Sequence, residues 1–312
     1  MSAVLALYAV VAATLLPRLL GRASWRSWAE RAPRLAIVTW QAAGFSVVAA
    51  ALLAAISLAL PADAIGHGLA RFFAACVDGP DLSLGSVRAG LAGAALLGGR
   101  LAYSAARVLL GARRERRRHL AMLSLLGTRD PALGAVVIEY GERVAYCLPG
   151  RRAQTVITTA ALESLSPEQV AAVLAHEHAH LRGRHHLVLA AAESLARAFP
   201  RVPLFERSRE EIARLVELLA DDLAARRHDR VHIAAALVGL ATGRVPGFAL
   251  GAGGETALTR VRRMLAPHEP LERRERLTAL LAVSALLAGP SALVAVPGLA
   301  TFLTHHCHSL LG

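Results

Sequence analysis

Four long apolar stretches constrain this chain more than any other feature. They run from about Ala3 to Leu20, Leu35 to Leu60, Val87 to Ala106 and Leu277 to Leu303. A helix that crosses a bilayer needs about 20 apolar residues, so each stretch is long enough to span. Arg100, near the end of the third stretch, can extend its side chain to the headgroups. We therefore expect a mainly α-helical membrane protein with three transmembrane helices, a long connection and a fourth transmembrane helix.

The charged residues indicate how these spans are oriented. The chain has 35 basic and 23 acidic residues, a formal net charge of +12, and every basic residue is Arg. Arg-rich segments follow the first span, follow the third at 113–118 and precede the fourth at 272–276, whereas the loop after the second span is acidic. Because basic loops stay on the cytoplasmic side, we expect both termini outside a bacterial plasma membrane and residues 112–276 in the cytoplasm.

The same argument predicts domains and partners. We expect a membrane domain at 1–111, a cytoplasmic domain at 112–276, and a fourth span with a short external tail at 277–312. The lipid bilayer is the first expected partner. No aromatic residue interrupts the Arg run, so the run favours anionic lipid headgroups over nucleic acid. On the outer side, Cys76 and Cys307 could form a disulfide.

The cytoplasmic segment changes from a strand pattern to a helical one. Short β-like runs at Ala135–Tyr140, Val144–Leu148 and Thr155–Thr159 are separated by glycine and proline turn signals. Ser166-Pro167-Glu168-Gln169 then has the pattern of a capping box, with proline at the first helical position. This predicts a helix over Pro167–Arg182, followed by helices over about His185–Ala198 and Ser208–Arg227, so the domain is of the α+β type.

The capped helix contains an H-E-x-x-H motif. His176 and His180 are four residues apart, so both imidazoles leave one face of the helix about 6 Å apart. That spacing suits two ligands of one tetrahedral zinc ion, and Glu177 is placed to accept the proton of the attacking water. The residues before the motif are apolar, and two buried histidines and a buried glutamate without a metal would be costly.

A catalytic zinc ion needs a third protein ligand, and the sequence offers two candidates. We prefer Glu217, because Asp221 one turn later can accept a hydrogen bond from a ligating histidine. The alternative is His186, which extends the motif to the metzincin pattern H-E-x-x-H-x-x-G-x-x-H. Metzincins carry a Met-turn, and the only methionine after His186 is Met264, 78 residues on. They are also mostly outward-facing proteins.

The chain resembles the BlaR/MecR-type antirepressor membrane metallopeptidases, in particular their actinobacterial branch. The resemblance rests on the three-plus-one spans, the zinc motif with its downstream E-x-x-x-D, and phrases such as Cys147-Leu148-Pro149-Gly150 and Gly183-Arg184-His185-His186. It implies a gluzincin-type fold, one zinc ion bound by His176, His180 and Glu217, and cleavage of a cytoplasmic protein, with a transcriptional repressor as the candidate substrate. The zinc core is also similar to the prenyl-protein and heat-shock membrane peptidases, whose spans are arranged differently.

One departure from that family bears on the signal. The beta-lactam sensors of the family place a penicillin-binding domain after the last span, where only residues 304–312 follow here. Direct sensing of a beta-lactam is therefore not expected. A quality-control membrane peptidase and a non-catalytic signalling scaffold of the same fold are the alternative functions.

The sequence also suggests roles in catalysis and substrate binding beyond the metal ligands. Glu177 should transfer the proton to the leaving amine, and a strand at Val144–Leu148 should pair with an extended substrate. His228 is a candidate stabiliser of the oxyanion. Apart from the alternative ligand role of His186, we expect His178, His185 and His186 to cap, face solvent or pack at a helix end, with no role at the metal.

Overall fold

The computed structural model describes residues 1–59, 84–150, 153–241, 254–266 and 269–310. The helices are α1 Ser2–Leu19, α2 Ala23–Arg31, α3 Pro33–Ala59, α4 Leu84–Leu126, α5 Thr159–Ser164, α6 Pro167–Arg182, α7 His185–Ala198, α8 Pro203–Ala224, α9 Arg230–Ala241, α10 Gly254–Leu265 and α11 Arg273–Leu310. The strands are β1 Gly127–Asp130, β2 Ala135–Ile138, β3 Ala145–Leu148 and β4 Gln154–Thr158. The proposed Cys76–Cys307 bridge lies outside the described residues, because Cys76 falls in a gap and only the backbone is described at Cys307.

Three of the described helices are long and apolar enough to cross a membrane. They are Ser2–Leu19, Pro33–Ala59 and the segment Arg273–Ala295 of α11, which correspond to the first, second and fourth predicted spans. The third predicted span lies in α4, which is not among the three and therefore remains a prediction. The expected mainly helical protein with apolar helices suited to a membrane is confirmed, but not the complete three-plus-one arrangement.

Helix α4 is longer than the sequence analysis anticipated. It runs for 43 residues, through the Arg run and past residue 111. Within the predicted span, Arg100 donates to the carbonyl of Ala198 and the buried Ser104 hydroxyl donates to the carbonyl of Ser194 at 2.8 Å. One face of α4 is thus bound by polar contacts to α7, a helix of the predicted cytoplasmic domain.

A four-stranded sheet follows α4. Its order is β1-β2-β4-β3, with β2 and β4 parallel and the other two pairs antiparallel. The predicted strands correspond to β2, β3 and β4, whereas β1 carried no recognisable alternation of apolar and polar residues. Strand β3 lies at an edge of the sheet, beside α6.

Helix α6 begins and ends where its end signals indicate. The Gln169 amide donates to the Ser166 hydroxyl at 3.4 Å, and the Ser166 amide donates to the Gln169 side chain at 3.1 Å, which completes the capping box. These two bonds satisfy amides that the first turn of a helix leaves without partners. The helix ends at Arg182, one residue before Gly183.

The largest core joins the first two candidate spans to α7 and α8. Its buried side chains include Ala13, Ile37, Trp40 and Val47 from α1 and α3, and Ala196, Leu204, Phe205, Leu215 and Val216 from α7 and α8. The predicted division at residues 111 and 112 stays a prediction, but residues from both sides of it share this core. The core therefore fixes α8, and with it Glu217, against the candidate membrane helices.

Candidate metal centre

Helix α6 brings the two motif histidines together. His176 and His180 are one turn apart, and their Nε2 atoms lie 3.1 Å from each other. The opposite face of α6 packs into the domain core through Val170 and Leu174. Because that face is fixed by packing, the imidazole face is held toward α8.

Helix α8 supplies the carboxylate. The Glu217 Oε2 atom lies 3.5 Å from Nε2 of His176, and its Oε1 atom lies 3.5 Å from Nε2 of His180. These three residues form a group whose ligand atoms all lie within 4.8 Å of one another, so they could hold a metal ion. The neighbours Val216 and Leu218 are fully buried, which holds this part of α8 against the core.

Asp221 lies one turn beyond Glu217 and is completely buried. Its Oδ1 atom is 2.9 Å from Nδ1 of His176. A carboxylate at that distance accepts the Nδ1 proton of a neutral imidazole and leaves the Nε2 lone pair free for a metal. Asp221 thus contacts His176 on the side away from Glu217 and His180.

Arg260 is a residue of this centre that the sequence analysis missed. Its Nε and one Nη donate to the two carboxylate oxygens of Asp221 at 2.8 and 2.7 Å, and its other Nη lies 3.0 Å from Oε2 of Glu217. Arg260 lies on α10, 39 residues after Asp221, in a helix with several arginines. No local pattern distinguishes it from Arg262 or Arg263, so only the tertiary structure identifies it.

Glu177 lies beside His176 and is largely removed from water. Burial raises the pKa of Glu177 to about 7, although the charges of His176 and Arg260 and a hydrogen bond with the Cys147 thiol of β3 oppose the rise. A carboxylate with a pKa near neutrality can both accept and return a proton at physiological pH. Burial also raises the pKa of Cys147, so this residue stays a neutral thiol.

Two carboxylates, Glu217 and Asp221, lie close to His176. Burial lowers the pKa of His176, but hydrogen bonds to Asp221 and Glu217 outweigh that effect and raise it to about 10. Burial would raise the pKa of Glu217, yet its interactions with His176 and Arg260 hold it at about 2. The ionised carboxylates of Glu217 and Asp221 are therefore stabilised by a positive charge between them. A bound metal ion would supply it in place of the proton on His176.

His186 and His228, the other two site candidates from the sequence, lie away from the ligand trio. His186 is outside the trio, and its buried Nδ1 atom has no hydrogen-bond partner in the described part of the chain. His228 lines a cavity of about 740 Å³ together with His178 and Leu174, which are on the face of α6 opposite to the ligands. The geometry therefore favours Glu217 over His186 as the third ligand. It also gives His228 no contact with the trio among the described residues.

Comparison with known protein families supports the same chemistry. Residues 112–205 match the model of peptidase family M48. The match includes both histidines and Glu177, and ends before Glu217 and Asp221. No curated protein and no solved structure matches the chain. An M48 peptidase domain indicates a metallopeptidase, and hence a hydrolase of peptide bonds. The closer relation to BlaR/MecR-type enzymes is not confirmed.

Proposed function

We propose that this protein is a membrane-anchored zinc endopeptidase whose active site faces the cytoplasm. The observation that carries the proposal is the convergence of His176, His180 and Glu217, with Glu177 beside them, in a chain with an M48 peptidase domain. Ligand atoms about 2.0–2.2 Å from a tetrahedral zinc ion lie about 3.3–3.5 Å apart. The two Nε2 atoms are 3.1 Å apart and each lies 3.5 Å from one of the two Glu217 oxygens, which is close to that spacing.

Each residue of the proposed site has a separate role in peptide hydrolysis. When bound, the zinc ion supplies Lewis acidity that polarises the scissile carbonyl and acidifies the attacking water. Glu177 accepts the proton of that water and passes it to the leaving amine, for which its pKa near 7 is suited. Asp221 and Arg260 hold His176 and Glu217 in place.

Strand β3 is suited to orient an extended substrate. Among the described strands it pairs with β4 alone, it lies beside α6, and the Cys147 thiol on β3 contacts Glu177. A peptide added to the outer edge of β3 would therefore run past the catalytic base. Strand addition binds a peptide mainly through its backbone, so this mode sets orientation more than sequence preference.

The cytoplasmic orientation and the substrate remain proposals. The Arg runs at 113–118 and 272–276 support the orientation, and the resemblance to BlaR/MecR-type enzymes supports a repressor as the substrate. In a background with Cys76, Cys147 and Cys307 replaced by serine, a membrane-impermeant maleimide on intact cells should label an Arg88→Cys variant and leave Arg114→Cys unlabelled until the cells are permeabilised. The reverse labelling would place the site outside.

The catalytic proposal is tested by zinc content and cleavage measured together. Full-length wild type, Glu177→Gln and the exposed same-helix control Glu168→Gln would be purified in detergent and incubated with a peptide library from bacterial cytoplasmic proteins. We expect Glu177→Gln to retain zinc and to cleave about 10²–10⁴-fold more slowly, with Glu168→Gln unchanged. Normal cleavage by Glu177→Gln would refute the mechanism. Wild type without zinc would favour the scaffold alternative.

The breadth of cleavage separates a regulatory peptidase from a quality-control one. The proteomes of cells that express wild type or Glu177→Gln would be compared for new protein termini. A few new termini in one or two proteins are expected of a regulatory enzyme. Cleavage of many membrane proteins would instead favour quality control.

A further inference from the structure

His185 is buried directly against a metal ligand. It is the first residue of α7 and only 3% exposed. Its Nδ1 atom lies 3.1 Å from Nδ1 of His180. The other ring nitrogen of His180, Nε2, is the one that faces His176 and Glu217. The imidazole of His180 therefore bridges the ligand trio on one side and His185 on the other.

The short distance between Nδ1 of His180 and Nδ1 of His185 means that only one of these two atoms carries a proton. Two imidazole nitrogens at 3.1 Å make a hydrogen bond only when one carries a proton and the other offers a lone pair. If His185 donates, His180 has its own proton on Nε2 and cannot bind a metal there. If His180 donates from Nδ1, its Nε2 lone pair is free for the metal. Metal binding through Nε2 thus requires His185 to be the acceptor, with its proton on its own Nε2.

The chain is built to leave room for the His185 ring. A Cβ atom on Gly183 would lie 2.3 Å from Nε2 and 2.5 Å from Cδ2 of His185, so a side chain at position 183 would displace the ring. Arg184, between them, has a φ of 48°, a left-handed conformation that a non-glycine residue rarely adopts. This tight turn starts α7 with His185, and not His186, directed at the ligand.

We infer that His185 is a positioning residue that holds His180 in the tautomer that binds the metal. This inference rests on the proposed zinc site. His185 does for His180 what Asp221 does for His176, whose Nδ1 lies 2.9 Å from the Asp221 carboxylate. The two partners differ in charge. A neutral imidazole fixes the tautomer of His180 without adding a further carboxylate to a site that already contains Glu177, Glu217 and Asp221.

The test measures zinc affinity, using full-length protein in detergent and a competing chelator. In His185→Asn the side-chain oxygen keeps an acceptor near the position of Nδ1, whereas His185→Leu removes it. His186→Leu is the matched control, because it removes the adjacent imidazole that lies away from the ligands. We expect His185→Leu to raise the zinc Kd about 10–100-fold. His185→Asn should stay within a few-fold of wild type, and His186→Leu should be unchanged.

Each result has a distinct meaning. Equal zinc Kd values for wild type and His185→Leu would overturn the inference and leave the proposed function intact. Wild type that binds no zinc would overturn both. If His185→Leu does not fold, the tautomer of His180 is measured directly in wild type. In zinc-loaded protein labelled with ¹⁵N-histidine, nuclear magnetic resonance should show the His180 proton on Nδ1. An unprotonated Nδ1 on His180 would contradict the inference.

Discussion

At the scale of single residues, the centre is organised around the balance of buried charge. Glu217 and Asp221 bring two carboxylates close to two imidazoles, and Arg260 contacts both carboxylates. Buried charges are stable only when they are paired and hydrogen-bonded. The Arg260 guanidinium neutralises only one of the charges of Glu217 and Asp221. The remaining negative charge favours the binding of a cation. Arg260 therefore belongs to the centre as much as the ligands do.

Removal of Arg260 should destabilise the protein. In Arg260→Met, Glu217 and the fully buried Asp221 face each other without their shared cation. Breaking a buried ion pair from one side costs about 3–5 kcal/mol of unfolding free energy, so the thermal unfolding midpoint of the metal-free protein in detergent should fall clearly. The exposed Arg262 on the same helix provides the control, and Arg262→Met should unfold like wild type. An unchanged midpoint in Arg260→Met would show that the pair contributes little.

At the scale of elements, local sequence signals predicted the ends of α6 well. They did not predict contacts between separate helices. The capping box and Gly183 lie within one turn of the ends of the helix, so sequence alone predicted Pro167–Arg182, the bounds that the structure has. Helix α8 was expected at about 208–227 but spans 203–224, because Pro203 starts it early. The roles of Arg260 and His185 depend on contacts between separate helices, and no periodicity within one helix encodes such contacts.

The cap of α6 should contribute measurably to stability. Ser166→Ala removes the side-chain oxygen that accepts from the Gln169 amide, which typically costs about 0.5–2 kcal/mol. Ser166→Asp keeps an acceptor at the same position and should retain most of the stability. Thermal unfolding of both variants in detergent measures the difference. Equal midpoints for Ser166→Ala and wild type would mean that tertiary packing alone determines where α6 begins.

At the scale of the whole molecule, the peptidase helices and the candidate spans form one packed unit. The apolar face of α8, with Leu204, Leu215 and Val216, is buried in a core shared with α1 and α3. The hydropathy of the sequence separated membrane segments from a polar segment, but it could not show that α8 packs against them. The same limitation applies to α4, whose Arg100 and Ser104 contact α7.

A fragment of residues 112–276 should therefore not fold alone. It would expose the α8 side chains that α1 and α3 cover, each worth about 1.5–3 kcal/mol when buried. We expect the fragment to aggregate or to lack a cooperative unfolding transition, whereas full-length protein in detergent unfolds cooperatively. Size-exclusion chromatography and circular dichroism measure both properties. A monomeric, cooperatively folded fragment would show that the shared core is dispensable.

The central claim is that His176, His180 and Glu217 bind one zinc ion, and X-ray absorption at the zinc edge tests it most directly. Purified full-length protein should contain one zinc ion per chain, with two imidazoles and only nitrogen and oxygen ligands at about 2.0–2.2 Å. Glu217→Ala should lose most of the metal. A sulfur ligand at about 2.3 Å, which would involve Cys147, or the absence of stoichiometric zinc would contradict the claim.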